Sequence, residues 1–178
     1  MSIQKRVIMS SKDIDLAIQR ISLQILEKNH GIENLAIVGI HTCGVYVAEK
    51  IHAFIRERDT REVPFGTLDI NLYRDDWSLI GQNPIVKTSN ISFNVEGTNL
   101  VLVDDVIFTG RTIRSAMDAI LDYGRPRTIE LAVLIDRGSR ELPIQPDFTG
   151  METVVLQNER INVLLNRRGN DNEVVIES

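Results

Sequence analysis

Two kinds of chemistry meet in the stretch Val101 to Ile113. Asp104 and Asp105 set adjacent carboxylates directly after the apolar run Leu100 to Val103, and Thr109-Gly110-Arg111-Thr112 follows. A carboxylate pair serves metal chelation, general acid–base work or hydrogen bonds from ligand hydroxyls. A glycine, two threonines and successive backbone N–H groups at a helix start suit a phosphate dianion on the positive end of the helix dipole. Adjacent residues on a strand point to opposite faces, so the two aspartates do not chelate one bare ion together unless a turn begins at once. The vicinal hydroxyls of a sugar, with a magnesium ion shared by the ligand, fit the pair better. The stretch reads as a cradle for a phosphorylated sugar.

Such a cradle needs a strand beneath it and a helix after it. Leu100 to Val103 is the β-branched, apolar run of a parallel strand covered on both faces. It delivers Asp104 and Asp105 to its carboxyl end, the edge where open α/β sheets bind ligands. A helix over Thr112 to Asp122 follows, with Ile113, Ala116, Met117, Ile120 and Leu121 apolar and Gly124 and Pro126 as stops. Thr128 to Asp136 is a second buried strand, which completes a right-handed βαβ unit. Upstream, Leu35 to Ile40 is a buried strand and Val45 to Arg58 has helical spacing. Between them His41-Thr42-Cys43-Gly44 makes another strand-to-helix turn, either a second anion site or a plain connection. Cys43 at a helix start lacks the His and Asp partners that would make it a nucleophile.

Ser10 to Asp13 resembles a capping box and opens an amphipathic helix carrying Ile14, Ile18, Ile21 and Ile25, ended by Gly31. Lys12, Arg20 and Lys28 recur on its solvated side. Phe65 to Tyr73 alternates apolar Leu68, Ile70 and Leu72 with polar residues, as a strand with one wet face does. Arg74 to Asn90 is aperiodic, and a stretch of that length within a small domain is a functional lid or disordered. Ile91 to Phe93, Thr153 to Leu156, Arg160 to Leu165 and Val174 to Ile176 are β-like.

The 178 residues, 43% hydrophobic, suffice for one well-cored domain spanning 1–178. A net charge of −5 argues against a dedicated nucleic-acid binder and confines any RNA site to a local basic patch. One cysteine excludes an internal disulfide framework, and no run approaches the roughly 18 apolar residues of a membrane span. No signal-type apolar stretch occurs in Met1 to Ser11, so a soluble, cytoplasmic protein with no membrane partner is expected.

Val101 to Ile113 is similar, across all thirteen positions, to the phosphoribosyl pyrophosphate (PRPP) signature of type I phosphoribosyltransferases. More narrowly, Leu72-Tyr73-Arg74-Asp75-Asp76, Val101 to Thr112, Gly124-Arg125-Pro126 and Leu131 to Pro143 resemble the PyrR family. Its members are bacterial pyrimidine operon attenuators that also have uracil phosphoribosyltransferase activity. The similarity runs from about Lys5 to Ile176. It implies the type I phosphoribosyltransferase fold: α/β, a central mostly parallel sheet with helices on both faces, a small hood and a flexible lid loop. It further implies PRPP, uracil, and UMP or UTP as ligands, Mg2+ bound with PRPP, pyrimidine operon mRNA as a partner, and assembly as a homodimer or tetramer.

Laid on matching positions, the resemblance gives Asp104 and Asp105 the ribose hydroxyls and the catalytic role. Thr109, Gly110, Arg111 and Thr112 take the 5-phosphate, with Val103, Val106 and Phe108 completing the PRPP contacts. Thr42, Cys43 and Gly44 take the pyrophosphate, and Arg137 and Gly138, with the backbone near Ile161, frame the uracil. Arg74, Asp75, Asp76 and Lys87 belong to the lid, and Lys12, Arg20, Lys28 and Arg140 are the candidate RNA contacts. Loss of pyrophosphate leaves an oxocarbenium-like sugar, so such a site fixes geometry, spreads charge and excludes water without a protein nucleophile. Asp105, nearest the turn, is the residue whose loss is expected to hurt turnover most; capping the next helix is its plain structural alternative.

Departures from the family pattern carry their own expectations. Cys43 stands where relatives usually have arginine, which removes a bidentate anion contact and leaves that charge to Arg74 or Lys87. Ser139 replaces a common histidine, Gln145 an arginine, and Met151 to Gln157 lacks a lysine and serine cluster, all on the RNA face. One competing reading is a nucleotide-sensing, RNA-binding attenuator with little catalytic activity, which requires the basic residues to share one face. Another is a purine-specific enzyme of the same fold, against which Arg137-Gly138 without a purine-pocket aromatic argues.

Overall fold

The computed structural model describes residues 5–76, 88–156, 158–166 and 171–178. Strands that are apolar on both faces must be covered on both faces, and the sheet follows from that requirement. Leu35–Ile40 (β2) is buried at all six positions. It joins Phe65–Leu68 (β3), Asn99–Ile107 (β4), Thr128–Asp136 (β5) and Phe148–Glu152 (β6) in a five-stranded sheet of order β3-β2-β4-β5-β6. Each of those pairings is parallel.

Alternation along the strands divides the core into two layers. Ile37, Val101, Val103 and Ala132 pack with helices Ser11–Lys28 (α1) and Cys43–Arg56 (α2). Val38, Ile40, Leu100, Leu102 and Val133 pack with helix Arg111–Leu121 (α3). The steps β2 to β3 and β4 to β5 run in opposite directions across the sheet, so right-handed crossovers put α2 and α3 on opposite faces. Between β2 and β4 lies the switch point, where sheets of this kind open a ligand crevice.

A second, antiparallel sheet joins the chain ends: Lys5–Met9 (β1), Glu173–Glu177 (β8) and Arg160–Leu164 (β7), in the order β1-β8-β7. This is the small hood. No described helix is long and apolar enough to cross a membrane.

Several local expectations change. The strand from Phe65 ends at Leu68, and Asn71–Tyr73 forms a single 3-10 turn. Asp69 bends the chain there by accepting the Asn71 N–H at 2.9 Å, which leaves Leu72 exposed. Ile91 to Phe93 is not a strand; Asn90 alone bridges antiparallel to Thr67. Thr153 to Leu156 is also irregular, and the strand lies earlier, at Phe148–Glu152. Asp147 starts that strand by donating its N–H to the Leu131 carbonyl (2.8 Å) and accepting the Leu131 N–H on its side chain (2.9 Å). β1 carried no sequence signal that was read, because its pairing partner β8 lies at the far end of the chain. β4 continues to Ile107, so Asp104 and Asp105 lie inside the strand rather than after it. Strict alternation breaks at the pair: Val103 and Val106 both pack on the α1/α2 layer, and Ile107 on the other.

The approach of α2 to β4 depends on Gly44. A Cβ there would sit 2.6 Å from the Val103 carbonyl and 2.9 Å from the Asp104 Cα. Gly44→Ala is expected to destabilise the fold by about 1–3 kcal/mol, seen as a lower urea midpoint at an unchanged m-value.

Candidate active site

The helix starts differ according to where they point. α1, away from the switch point, carries a full capping box between Ser10 and Asp13. α2 and α3 have neither a side-chain cap nor an acidic residue in the first turn. Their N-terminal dipoles therefore open toward the carboxyl ends of β2 and β4. Gly110 precedes α3 at φ +92°, a left-handed conformation that favours glycine and brings the Thr109 hydroxyl to 3.3 Å from the Arg111 N–H. A cavity of about 160 Å³ lies over this turn, lined by Arg74, Asp75, Asp76, Thr109, Arg111, Thr112 and Ser115.

Acidic side chains already hold the cations of this cavity. Arg111 pairs with Asp75 (2.5 Å) and Glu141 (2.7 Å), and Arg74 pairs with Asp76 (2.5 Å). An entering phosphate competes with Asp75 for the Arg111 guanidinium. Arg74, Asp75 and Asp76 thus meet the anion turn; Lys87, and with it 77–87 of the expected lid, lies outside the described residues.

The two aspartates sit between the helix starts. Asp104 is 5% exposed, and one of its carboxylate oxygens accepts the Asp105 N–H at 2.9 Å. Among the described residues no lysine or arginine forms an ion pair with either carboxylate. Burial, and then the neighbouring charge of Asp105, push Asp104 well above the usual carboxylate range. Burial also raises Asp105, opposed by hydrogen bonds with Asp104, the Val106 N–H and the Cys43 thiol. A buried, uncompensated acidic pair accepts hydroxyl donors or a cation readily. Two carboxylates leave most positions around an octahedral ion to ligand oxygens and water, which fits a cation delivered with its ligand.

Thr42, Cys43 and Gly44 form the turn beside the pair, and the His41–Thr42 peptide is cis. The Cys43 thiol reaches Asp105 and, at 3.9 Å, the Val163 carbonyl on β7, so the hood meets the crevice here. On the other side, the Arg137 guanidinium stacks 4.2 Å from the centre of the Phe108 ring. Arg137 and Gly138 line a hollow of about 370 Å³ with Asp136, Glu152, Thr153 and Val154.

Other expected contacts are placed differently. Val103 is fully buried in the core and its side chain is closed to the crevice, whereas Phe108 is exposed and Val106 half-buried. The Ile161 side chain packs on the α1/α2 layer and lines neither cavity. Lys12 is exposed, Arg20 donates to the Thr149 and Gly150 carbonyls, and Lys28 pairs with Asp147 (2.5 Å) and Glu130 (3.6 Å). Arg140 turns inward at the carboxyl end of β5, opposite the end where Lys28 meets Glu130. Sequence reading missed Ser115 and Glu141 at the anion turn and the buried pairing of Asp136. For Ser115 the signal was available, since it falls one helical turn after Arg111.

Residues 8–166 match the family model described as phosphoribosyl transferase domain, and that is the class of protein this sheet and crevice belong to. The fold is shared with a hypoxanthine-guanine phosphoribosyltransferase from Bacillus anthracis. That match has a TM-score of 0.66 at 19% identity and covers 89% of this chain and 88% of the other. It is shared also with a Trypanosoma cruzi hypoxanthine phosphoribosyltransferase, at TM-score 0.67 and 14% identity over 84% of this chain and 78% of the other. Sequence identity is narrower. The chain is 51% identical over 172 residues to the bifunctional protein PyrR of Thermoanaerobacter sp. (strain X514), covering 97% of each. It is 45% identical to the bifunctional protein PyrR of Syntrophobacter fumaroxidans, over 97% of this chain and 92% of that one. The chain belongs to the PyrR family.

The raised Asp104 gives a stability prediction whose sign is fixed. Its folded form prefers the proton, so stability is complete below the ordinary carboxylate pKa and falls as pH rises toward the raised value. Asp104→Asn, which keeps the oxygen that accepts the Asp105 N–H, is expected to melt above the wild type at about pH 7. The gap should close near pH ~4 in thermal scans across pH.

Proposed function

We propose that this chain transfers the phosphoribosyl group of PRPP to uracil, forming UMP and releasing pyrophosphate. The observation that carries the reading is the uncompensated Asp104–Asp105 pair set between the uncapped starts of α2 and α3. Asp104 and Asp105 hold the ribose 2- and 3-hydroxyls, and Thr109 to Thr112 hold the 5-phosphate with their N–H groups and hydroxyls. Thr42, Cys43 and Gly44 present the α2 amides to the pyrophosphate. Arg137 and Gly138, beside Phe108, receive the base.

As the bond from the anomeric carbon to the pyrophosphate breaks, the sugar becomes oxocarbenium-like, and the uracil N1 bonds to that carbon while its proton passes to the departing pyrophosphate or to solvent. The acidic pair lies beside the developing positive charge and stabilises it. Mg2+ bound with PRPP would be held beside Asp104 and Asp105 and would offset negative charge on the pyrophosphate. Arg74, Asp75, Asp76 and Lys87 belong to the segment that excludes water during transfer.

All 178 residues act as one cytoplasmic domain that assembles as a homodimer or tetramer, and the exposed Leu16, Leu23, Val154 and Leu156 offer apolar surface for assembly. The chain also binds pyrimidine operon mRNA under control of UMP or UTP. The exposed Lys12 on α1 supplies a phosphate contact, Arg20 and Lys28 do so only by giving up the Thr149 and Gly150 carbonyls and the Asp147 and Glu130 carboxylates they hold, and the inward Arg140 supplies none. One observation favours an attenuator with reduced catalysis: Cys43, whose side chain hydrogen-bonds Asp105, occupies the pyrophosphate turn where a guanidinium would bind the anion.

The test is to incubate the protein and Mg2+-PRPP with uracil, hypoxanthine or guanine. UMP alone is expected, with Asp105→Asn lowering turnover at least about a hundredfold. Nucleotide from a purine overturns the assignment of the base, and no product with any base, together with tight UMP binding, establishes the attenuator. Cys43→Arg restores a bidentate anion contact and is expected to lower the KM for PRPP about tenfold in steady-state kinetics.

A further inference from the structure

We infer that Arg140 is a positioning residue of the transfer reaction, clamping the base-side loop to the phosphate turn so that both half-sites hold one geometry. The inference rests on the functional reading above, which assigns Arg137 and Gly138 to the base and Thr109 to Thr112 to the phosphate.

A guanidinium has five N–H donors, and Arg140 has an acceptor for each. Its Nε donates to the Ile144 carbonyl at 2.9 Å. Its Nη1 donates to the Phe108 and Gly138 carbonyls, at 3.0 and 3.2 Å. Its Nη2 donates to an Asp136 carboxylate oxygen at 2.7 Å and to Gln145 Oε1 at 3.3 Å. The Arg140 and Asp136 side chains are half-buried, at 11% and 13% exposed, so the pair is partly shielded from screening. Asp136 also accepts the Gly138 N–H at 2.8 Å.

The five acceptors come from two stretches: Asp136, Gly138, Ile144 and Gln145 lie within five residues of Arg140, and Phe108 lies in the turn that opens α3. Backbone bonds run along the same seam. The Arg137 N–H donates to the Ile107 carbonyl at 3.0 Å, and the Glu141 and Leu142 N–H groups donate to the Thr109 carbonyl at 3.0 and 3.1 Å. Three successive carbonyls, Ile107, Phe108 and Thr109, are thus held by residues 137–142, the middle one by the Arg140 side chain. The anion cavity is lined by Thr109, Arg111, Thr112 and Ser115 and by none of residues 137–145. One side of the turn is therefore fastened to the base loop and the other faces the phosphate.

The base loop has its own need of the clamp. Gly138 and Ser139 take left-handed φ values of 75° and 56° in succession, a conformation that serine disfavours and that surrounding bonds must maintain. Arg140 and Asp136 fasten Gly138 at its carbonyl and its N–H. A displacement at either half-site is passed to the other through one rigid side chain.

Lysine at 140 separates charge from geometry. It can keep the ion pair with Asp136 but cannot present a planar fork to Phe108, Gly138 and Ile144 together. Arg140→Lys is expected to melt within a few degrees of the wild type yet raise the KM for PRPP and the KM for uracil together, each about tenfold. UMP binding measured by calorimetric titration should weaken by at least the same factor. Asp136→Asn, which preserves shape and loosens only the charge-assisted grip, is expected to raise both KM values by a smaller factor at near-native melting temperature. A purely structural role predicts the opposite split: lower melting temperatures with KM values and UMP affinity unchanged, and that result for both variants overturns the inference. If the wild type makes no UMP from uracil, the functional reading fails by itself, and the clamp is then decided by UMP titration of the two variants.

Discussion

Two adjacent acidic side chains, Asp104 buried and Asp105 half-buried, with no cation beside them among the described residues, are the constraint around which this protein is built. A site of this kind opposes folding, since burial and mutual repulsion both disfavour the charged state. The surrounding structure offsets that cost by fixed geometry. β4 carries both residues in mid-strand between two parallel neighbours, β2 and β5. Gly44 lets α2 come close enough to β4 for its amide end to face the pair. The pair is consequently preorganised to accept donors, and in the proposed reading a ribose diol would meet groups that need no rearrangement.

The same trade is visible at the helix ends. α1 has every device for its own stability, with a capping box at its start and six buried residues along one stripe. α2 and α3 forgo such caps where they meet the crevice. A capping side chain is worth about 1 kcal/mol to a helix, and omitting it leaves N–H donors for an anion. The stability of these two helices comes instead from the buried layers on either face of the sheet, in which Val47, Ala48 and Ile51 on α2 and Ile113, Ala116 and Ile120 on α3 are fully enclosed.

Much of this was legible in the residues, and the limits have physical reasons. β2 and β5 were read to the residue, because a strand buried on both faces shows an unbroken apolar run bounded by turn formers. The anion turn was legible because its glycine, hydroxyls and strand end lie within one short stretch. What failed was whatever depended on distant partners. β1 pairs with β8 across the length of the chain, and the strand at Phe148 is set by Asp147 reaching back to Leu131. The apparent strand through Leu72 is cut by a local Asp69 turn that a count of alternating residues does not register. Arg140 is the clearest instance. An arginine between a serine and a glutamate in a polar loop looks like surface charge, and only the convergence of Phe108, Gly138 and Ile144 shows otherwise.

Charge in the crevice is distributed rather than concentrated, and Cys43 makes that distribution consequential. With a thiol in the turn after β2, positive potential in the crevice comes from the α2 amides on one side and from Arg74 and Arg111 on the other. Both arginines are already paired with Asp75, Asp76 and Glu141. Helix amides act at fixed positions and do not move with their counterions, whereas a paired guanidinium must first exchange a carboxylate for the phosphate. In the proposed transfer the anion turn would set where the phosphorylated sugar lies, and the paired arginines how readily it enters. The loop fastened by Arg140 belongs with the fixed elements, since residues 137–142 hold the Ile107, Phe108 and Thr109 carbonyls at the turn that opens α3.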